Sequence, residues 1–462
     1  MAAAKPNRSS VRDLTEGNIY KLILSFAFPI FISQVFQQLY NTADTLIVGA
    51  FLGTESLAAV ASSGTLIFLF TSFFDGTAMG AGVVISRYFG AGDKDRVSRA
   101  IHTNIAFGIV SGLFLTVAGV FLSPFLLELM NTDPKVLPEA IEYFRYYFLG
   151  SLSVIMYNVC RGIMNALGDS KRPLIYLIFS SLVNIVLDIL FVGIFRFGVW
   201  SAAVATVISQ SASVVLCLIH LTKKDFEYRI KFKSIRFHGD ILKEIIRYGM
   251  PSGVQNSVIA LANVIVQSQI NSFGRFATAA YGAHCKIEGF VFLPIMSFNM
   301  ATTTFISQNL GAGKKERAKK GANFGIFSVV LLAEAIGAVY YLLAPKLISF
   351  FDSSPQVIEF GVRQARTVTL FYCLLALSHS IAAVCRGAGK AFVPMIVMLS
   401  VWCVGRISYI MLVMHFFGSI GHVYWAYPIT WGISSVIYLL YYKFSNWING
   451  FDNEKELLEE RK

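Results

Sequence analysis

Charge is scarce in this chain. Only 14% of the 462 residues are Asp, Glu, Lys or Arg, against about 25% in soluble domains, and 55% are hydrophobic. That balance excludes an ordinary soluble domain and reads as a membrane protein. Cysteine is sparse too. The six cysteines (160, 217, 285, 373, 385 and 403) all fall in or beside apolar runs. They have neither metal-ligand spacing nor a loop framework, so they read as small core hydrophobes. No G-x-x-x-x-G-K-[ST] loop is present, which argues against ATP hydrolysis. "GAGDK", "GAGKK" and "RGAGK" lack its spacing, and their glycines suit tight turns at helix ends. H-E-x-x-H, G-x-S-x-G and Cys/His catalytic sets are also missing, so no enzyme and no cofactor is expected.

What is present is a series of long apolar runs. A helix needs about 20 apolar residues to cross the hydrocarbon core. Twelve such segments can be read, at 20–50, 57–88, 98–124, 138–163, 173–195, 199–221, 245–272, 278–309, 320–345, 360–385, 393–415 and 421–443. The net charge of +12 is concentrated in the loops of one side, including "GAGDKDR", "GDSKRP", "TKKDFEYRIKFKSIRF" and "GAGKKERAKK". The positive-inside rule places those loops and both termini in the cytosol. The excess charge is therefore a topology signal and an attraction to anionic lipid. It does not indicate a nucleic-acid partner. The expected site is the plasma membrane.

The chain is duplicated. Pro29 matches Pro251, Asn41 matches Asn263 and Pro173 matches Pro394; "ISRYFGAGDKDR" matches "ISQNLGAGKKER", and "CRG" recurs at 160–162 and 385–387. Six spans per half is an even number, so both halves enter from the same side. The expected fold is an all-α integral membrane protein: twelve transmembrane helices in two six-helix bundles, related by a pseudo-twofold along the membrane normal. The expected division is an N-terminal lobe (1–221), a basic cytosolic linker (222–244), a C-terminal lobe (245–450) and a charged cytosolic tail (451–462).

The few polar residues inside the spans are the candidate functional groups. Asp44 is the sole charge between Lys21 and Glu55, and its counterpart in the second half is Val266. An Asp at a helix centre costs about 2.5–3.5 kcal/mol to insert, so it calls for a function or a partner. By helical rise, Asp44 and Asp188 lie about 12–13 Å below the outer surface, on different helices. Asn41 and Asn184 lie one turn deeper, Gln37 extends the Asp44 stripe, and Thr206 enters at a similar level. Such an oxygen-rich cluster suits a proton or a hard cation such as Na⁺. The competing structural reading pins one carboxylate with a buried base such as Arg145. In the second half Lys286, Glu288 and Arg406 reach comparable depth. A structural Glu288–Arg406 ion pair is expected, with substrate contact as the minority reading. Asp75, in "FFDGTAMG", reads equally as a hydrogen-bonded residue at a glycine-rich kink. The seven histidines form no ligand pair.

Four stretches together resemble the multidrug and toxic compound extrusion (MATE) transporters, in their DinF-like branch. They are "FPIFISQVFQQLYNTADTLIVGAFLG", "ISRYFGAG" with its repeat "ISQNLGAG", "CRGIMNALGDSKRP" and "VNIVLDILFV". The resemblance covers about residues 15 to 445. It implies twelve helices in two lobes forming a V, and export of organic cations against entering Na⁺ or H⁺. It also implies a cation site in the first lobe at Asp44, Asn184, Asp188 and Thr206, and no metal site other than one for Na⁺. The substrate cavity is expected to include Gln37, Asn41, Lys286, Glu288 and Arg406. NorM-type acids in the seventh and tenth spans have no match here within 245–272 or 360–385. The expected partners are small organic cations and membrane lipid, with the protein acting as a monomer. The nearest rival is a flippase for a lipid-linked precursor; a channel is a third class.

Overall fold

The computed structural model describes residues 12–130 and 132–451. The charged tail expected at 451–462 lies outside the described residues, apart from Phe451. The described residues are almost wholly helical and contain no strand. In the first half the helices are α1 (Ile19–Leu52), α2 (Thr54–Gly90), α3 (Lys94–Leu129), α4 (Leu137–Leu149), α5 (Ser151–Ala166), α6 (Lys171–Asp188) and α7 (Trp200–Leu221). The second half holds α8 (Gly239–Asn271), α9 (Arg275–Gly311), α10 (Lys315–Ser349), α11 (Pro355–Val368), α12 (Tyr372–Gly387), α13 (Phe392–Met398), α14 (Arg406–Phe416) and α15 (Ile420–Phe444). Broken helices stacked end to end form single spans, which makes twelve. α8 begins at Gly239, inside the stretch read as linker.

Among the described residues, nine of these spans are long and apolar enough to cross a membrane by composition alone. The other three have visible reasons to fall short. α4 and α5 are parted at Gly150. α8 is diluted by Ser, Gln and Asn, and α15 by Tyr and Trp. A backbone crossing lipid must satisfy its own hydrogen bonds, so helices are the form that these runs take.

The repeat is visible in the irregularities as well as in the motifs. The fourth span of each half is interrupted, at Gly150 and at the 3₁₀ turn Thr369–Phe371. The fifth span of each half contains a π-helical segment, Ile189–Ile194 in one and Leu399–Gly405 in the other. Such segments are rare and favour functional sites. Asp188 stands just before the first, and Arg406 just after the second.

The bundles meet on the face that carries the basic loops. Gly76 and Gly80 of α2 lie against Gly253 and Gly249 of α8. A Cβ on Gly76 would stand 2.3 Å from the Gly253 nitrogen, and one on Gly80 would stand 2.2 Å from Gly249 Cα. Closer to the basic loops, a Cβ on Gly90 would stand 1.9 Å from the Gln308 carbonyl oxygen, and one on Gly311 would stand 2.0 Å from that of Arg87. Small residues let helix backbones approach and recover dispersion energy that lipid does not supply. α2 is continuous from Thr54 to Gly90. Its glycines make a crossing with α8, and the helix is unbroken at the place that one reading of Asp75 took for a glycine-rich kink.

The basic face is also sealed by chain segments. Leu14 is 1% exposed; its N–H donates to Gln308 Oε1 at 3.0 Å, and its carbonyl accepts from Asn309 Nδ2 at 3.3 Å. Lys314 Nζ donates to the Thr15 carbonyl at 3.0 Å, and the Arg12 N–H donates to the Leu167 carbonyl at 3.2 Å. The segment 12–18 is thus a strap from the first bundle to the second. Beside it, Tyr88 OH donates to Glu244 at 2.6 Å, and Arg99 pairs with Asp240 at 2.8 Å.

Candidate functional site

Asp44 is the one acid of α1, held on its buried side by apolar neighbours such as Val48. It is 8% exposed, and Asp188, Asn184 and Thr206 are 0%, 0% and 4% exposed, so all four are taken out of solvent. α6 delivers Asn184 and Asp188 one turn apart, and α7 delivers Thr206. Asn184 Nδ2 lies 3.5 Å from Thr206 Oγ1, at the limit of a hydrogen bond. The Asp44 and Asp188 carboxyl groups lie within hydrogen-bond reach of each other. Four oxygens here have no donor in the protein: Asp44 Oδ1, both Asp188 oxygens and Asn184 Oδ1. Two facing carboxylates with no hydrogen between them are unfavourable unless a proton or a cation joins them. The donor set fits either, being all oxygen and carrying up to two negative charges.

Arg145, the base considered as a partner, is engaged elsewhere: its Nε donates to Ser123 Oγ at 3.0 Å. Gln37 and Asn41 do not join the cluster. Gln37 is half-buried and Asn41 exposed. The residue of α1 that accompanies Asp44 is Tyr40, which is buried close to Gln210 and near both carboxylates. Tyr143 of α4 is within electrostatic range of the same pair. These three were missed. The i,i+4 spacing of Tyr40 to Asp44 was a usable signal, whereas Gln210 and Tyr143 come from other helices and gave none. At the matching place in the second bundle Val266 is fully buried in an apolar cluster.

The second bundle's charges separate. Glu288 accepts from Tyr372 OH at 3.2 Å and lies 3.8 Å from His284 Nε2. Arg406 donates to Thr430 Oγ1 through Nε and an Nη, at 3.2 and 3.0 Å, and its guanidinium lies 4.5 Å from the Tyr427 ring centroid. The expected Glu288–Arg406 ion pair is not made, because each is satisfied by nearer hydroxyl or ring partners. Lys286 is exposed. Cys285 is exposed as well, against the reading of every cysteine as core, while Cys160, Cys217, Cys385 and Cys403 are buried. Among the described residues no three His, Cys, Asp or Glu side chains gather to hold a metal.

The structure is thus a duplicated, two-bundle helical membrane protein with an acidic pocket buried in its first half. The MatE family model matches residues 29–190 and again 251–411, once in each half, and the chain belongs to that family. It is similar to the probable multidrug resistance protein YpnP of Bacillus subtilis, at 27% identity over 94% of this chain and 97% of that one. It is 27% identical to the probable multidrug resistance protein NorM of Thermotoga maritima, over 83% of each chain. Its fold matches a solved structure described as the outward-facing conformation of a multidrug resistance MATE family transporter, with a TM-score of 0.89 at 24% identity, over 97% of this chain and all of that one. The protein is accordingly a multi-pass membrane protein of a multidrug efflux family.

Proposed function

We propose that this protein is a secondary active exporter of amphiphilic organic cations, exchanging them for H⁺ or Na⁺ by alternating access. The observation that carries the reading is the buried pocket of Asp44, Asp188, Asn184 and Thr206, with four acceptor oxygens lacking donors. A proton or a Na⁺ ion there would satisfy them and neutralise the carboxylate pair. The relatives named for multidrug resistance support export of drug-like molecules; the cationic class is inferred from the acidic pocket. In this reading the basic face is cytosolic, the membrane is the plasma membrane, and the protein works as a monomer.

Coupling follows from how α1 is held. Near its start Tyr20 packs edge-on against Phe324 of α10, at 4.7 Å between centroids. Further along, α1 carries Asp44 into the first bundle. An ion that draws Asp44 toward Asp188 therefore acts on a helix that also touches the second bundle. It shifts the equilibrium between the two openings by its differential affinity for them.

The test is efflux of a fluorescent organic cation from proteoliposomes under an imposed pH or Na⁺ gradient. Efflux driven by one gradient, and lost in Asp44→Asn and Asp188→Asn, supports the proposal and identifies the ion. Efflux indifferent to both gradients overturns it.

A further inference from the structure

α2 carries another carboxylate that the ion pocket does not use. Asp75 lies 21 residues from Thr54 and 15 from Gly90, well inside a helix of 37 residues. Its side chain is nonetheless 46% exposed. It opens on a cavity of about 50 Å³ whose walls include Met79, Asn158 and Arg161 from the first bundle and Met300 and Thr303 from the second. Arg161 of α5 approaches to 4.0 Å and is 23% exposed. No protein hydrogen bond to the Asp75 carboxylate or the Arg161 guanidinium is made among the described residues. Asn165, on the same cavity, keeps its side-chain oxygen buried without a donor.

An ion pair at 4.0 Å without a hydrogen bond is loose, and partial exposure weakens it further. A carboxylate at this depth needs better compensation than that. The Asp75 side chain keeps 46% of its surface open against 23% for Arg161, so more of the acid than of its loose partner is free to meet a ligand in the cavity. Its thioether walls are apolar and polarizable, which suits a soft organic cation. The neighbour of Asp75 is Gly76, at the crossing with Gly253 of α8. A ligand on Asp75 would therefore touch the seam that must part when the basic face opens.

The geometry points to Asp75 as the counter-ion for the cationic head of the substrate, in a cavity shared by the two bundles, with Arg161 as the partner it leaves. The ligand class is an amphiphile with a protonated amine or quaternary ammonium head. This inference rests on the reading of the protein as an exporter of organic cations.

The test is equilibrium binding of dansylcholine, a fluorophore with a trimethylammonium head, followed by anisotropy with the full-length protein in detergent. Replacing the charge in Asp75→Asn weakens binding about tenfold, the scale of one lost charge contact in a partly solvated site. Asp75→Glu keeps binding within about threefold of wild type. Arg161→Gln removes the competitor and tightens binding, a gain that misfolding does not produce. Unchanged affinity in Asp75→Asn, or weaker binding in Arg161→Gln, overturns the inference and leaves cation export standing. Wild-type protein that ignores dansylcholine and binds the carboxylate dansylglycine overturns both.

Discussion

Gly76 of α2 and Gly253 of α8 cross with their backbones in contact, and four residues along, Gly80 meets Gly249 in the same way. The pairs run antiparallel, each helix presenting a G-x-x-x-G stretch, "GTAMG" and "GMPSG". No side chain can be added here without spreading the two bundles. Gly80→Val is therefore expected to prevent full closure of the basic face. Overpacking of this kind costs about 1–3 kcal/mol. With Ser86→Cys in a background lacking the native cysteines, maleimide labelling should accelerate about tenfold or more. Equal labelling with and without the valine would mean that closure does not depend on the seam.

The strap offers a milder way to loosen the same face. Leu14 is buried against α9 and anchored by Gln308 and Asn309. Leu14→Ala removes buried apolar volume that is filled only when the face is closed. The cost of such a truncation is about 2–5 kcal/mol. Thermal unfolding should come earlier, and labelling at Ser86→Cys should rise. A lower unfolding temperature without faster labelling would make Leu14 a stabilising contact with no part in closure.

Much of this was legible in the sequence because lipid leaves few options. Twelve apolar runs had to be helices, and paired motifs such as "ISRYFGAG" and "ISQNLGAG" exposed the duplication. Asp44 and Asp188 stood out because charge is rare within the spans. The π segments beside Asp188 and Arg406 were not legible, since their sequences, ILFVGI and LSVWCVG, use residues that occur in any span. The fate of Glu288 was hidden for another reason. Depth along a helix says which residues share a level but not which way they face, and Tyr372 and His284 proved nearer than Arg406. The G-x-x-x-G pair was present in plain letters, and its meaning needed the knowledge that α2 and α8 are neighbours.

The ion pocket predicts non-additivity. If Asp44 and Asp188 hold one proton or one ion jointly, either variant to Asn abolishes gradient-driven efflux. The double variant is then no worse than a single one, as expected for residues acting as a unit. Efflux rates in proteoliposomes at matched protein density check this. Losses that multiply in the double variant would mean two independent sites.

The linker carries a pH response of its own, outside the spans. His238 accepts at Nε2 from Arg236 Nε at 3.3 Å, and its Nδ1 lies 3.0 Å from Thr103 Oγ1, which fits a neutral ring donating to the threonine. Burial, and then the charges of Arg99 and Arg236, hold its pKa below the usual imidazole range; Asp240 opposes the shift and His102 adds to it weakly. Because the folded value is depressed, the unfolded chain binds the proton more readily. The contribution is fully present above the unfolded pKa, near 6.5, and is lost as pH falls through the folded value. A protonated ring can no longer accept from Arg236 and faces two guanidinium groups. Thermal stability should therefore fall between pH 7.5 and pH 5.5, and His238→Asn, which keeps an acceptor but cannot be protonated, should remove part of that fall. An unchanged pH profile in the variant would assign the acid sensitivity to other groups.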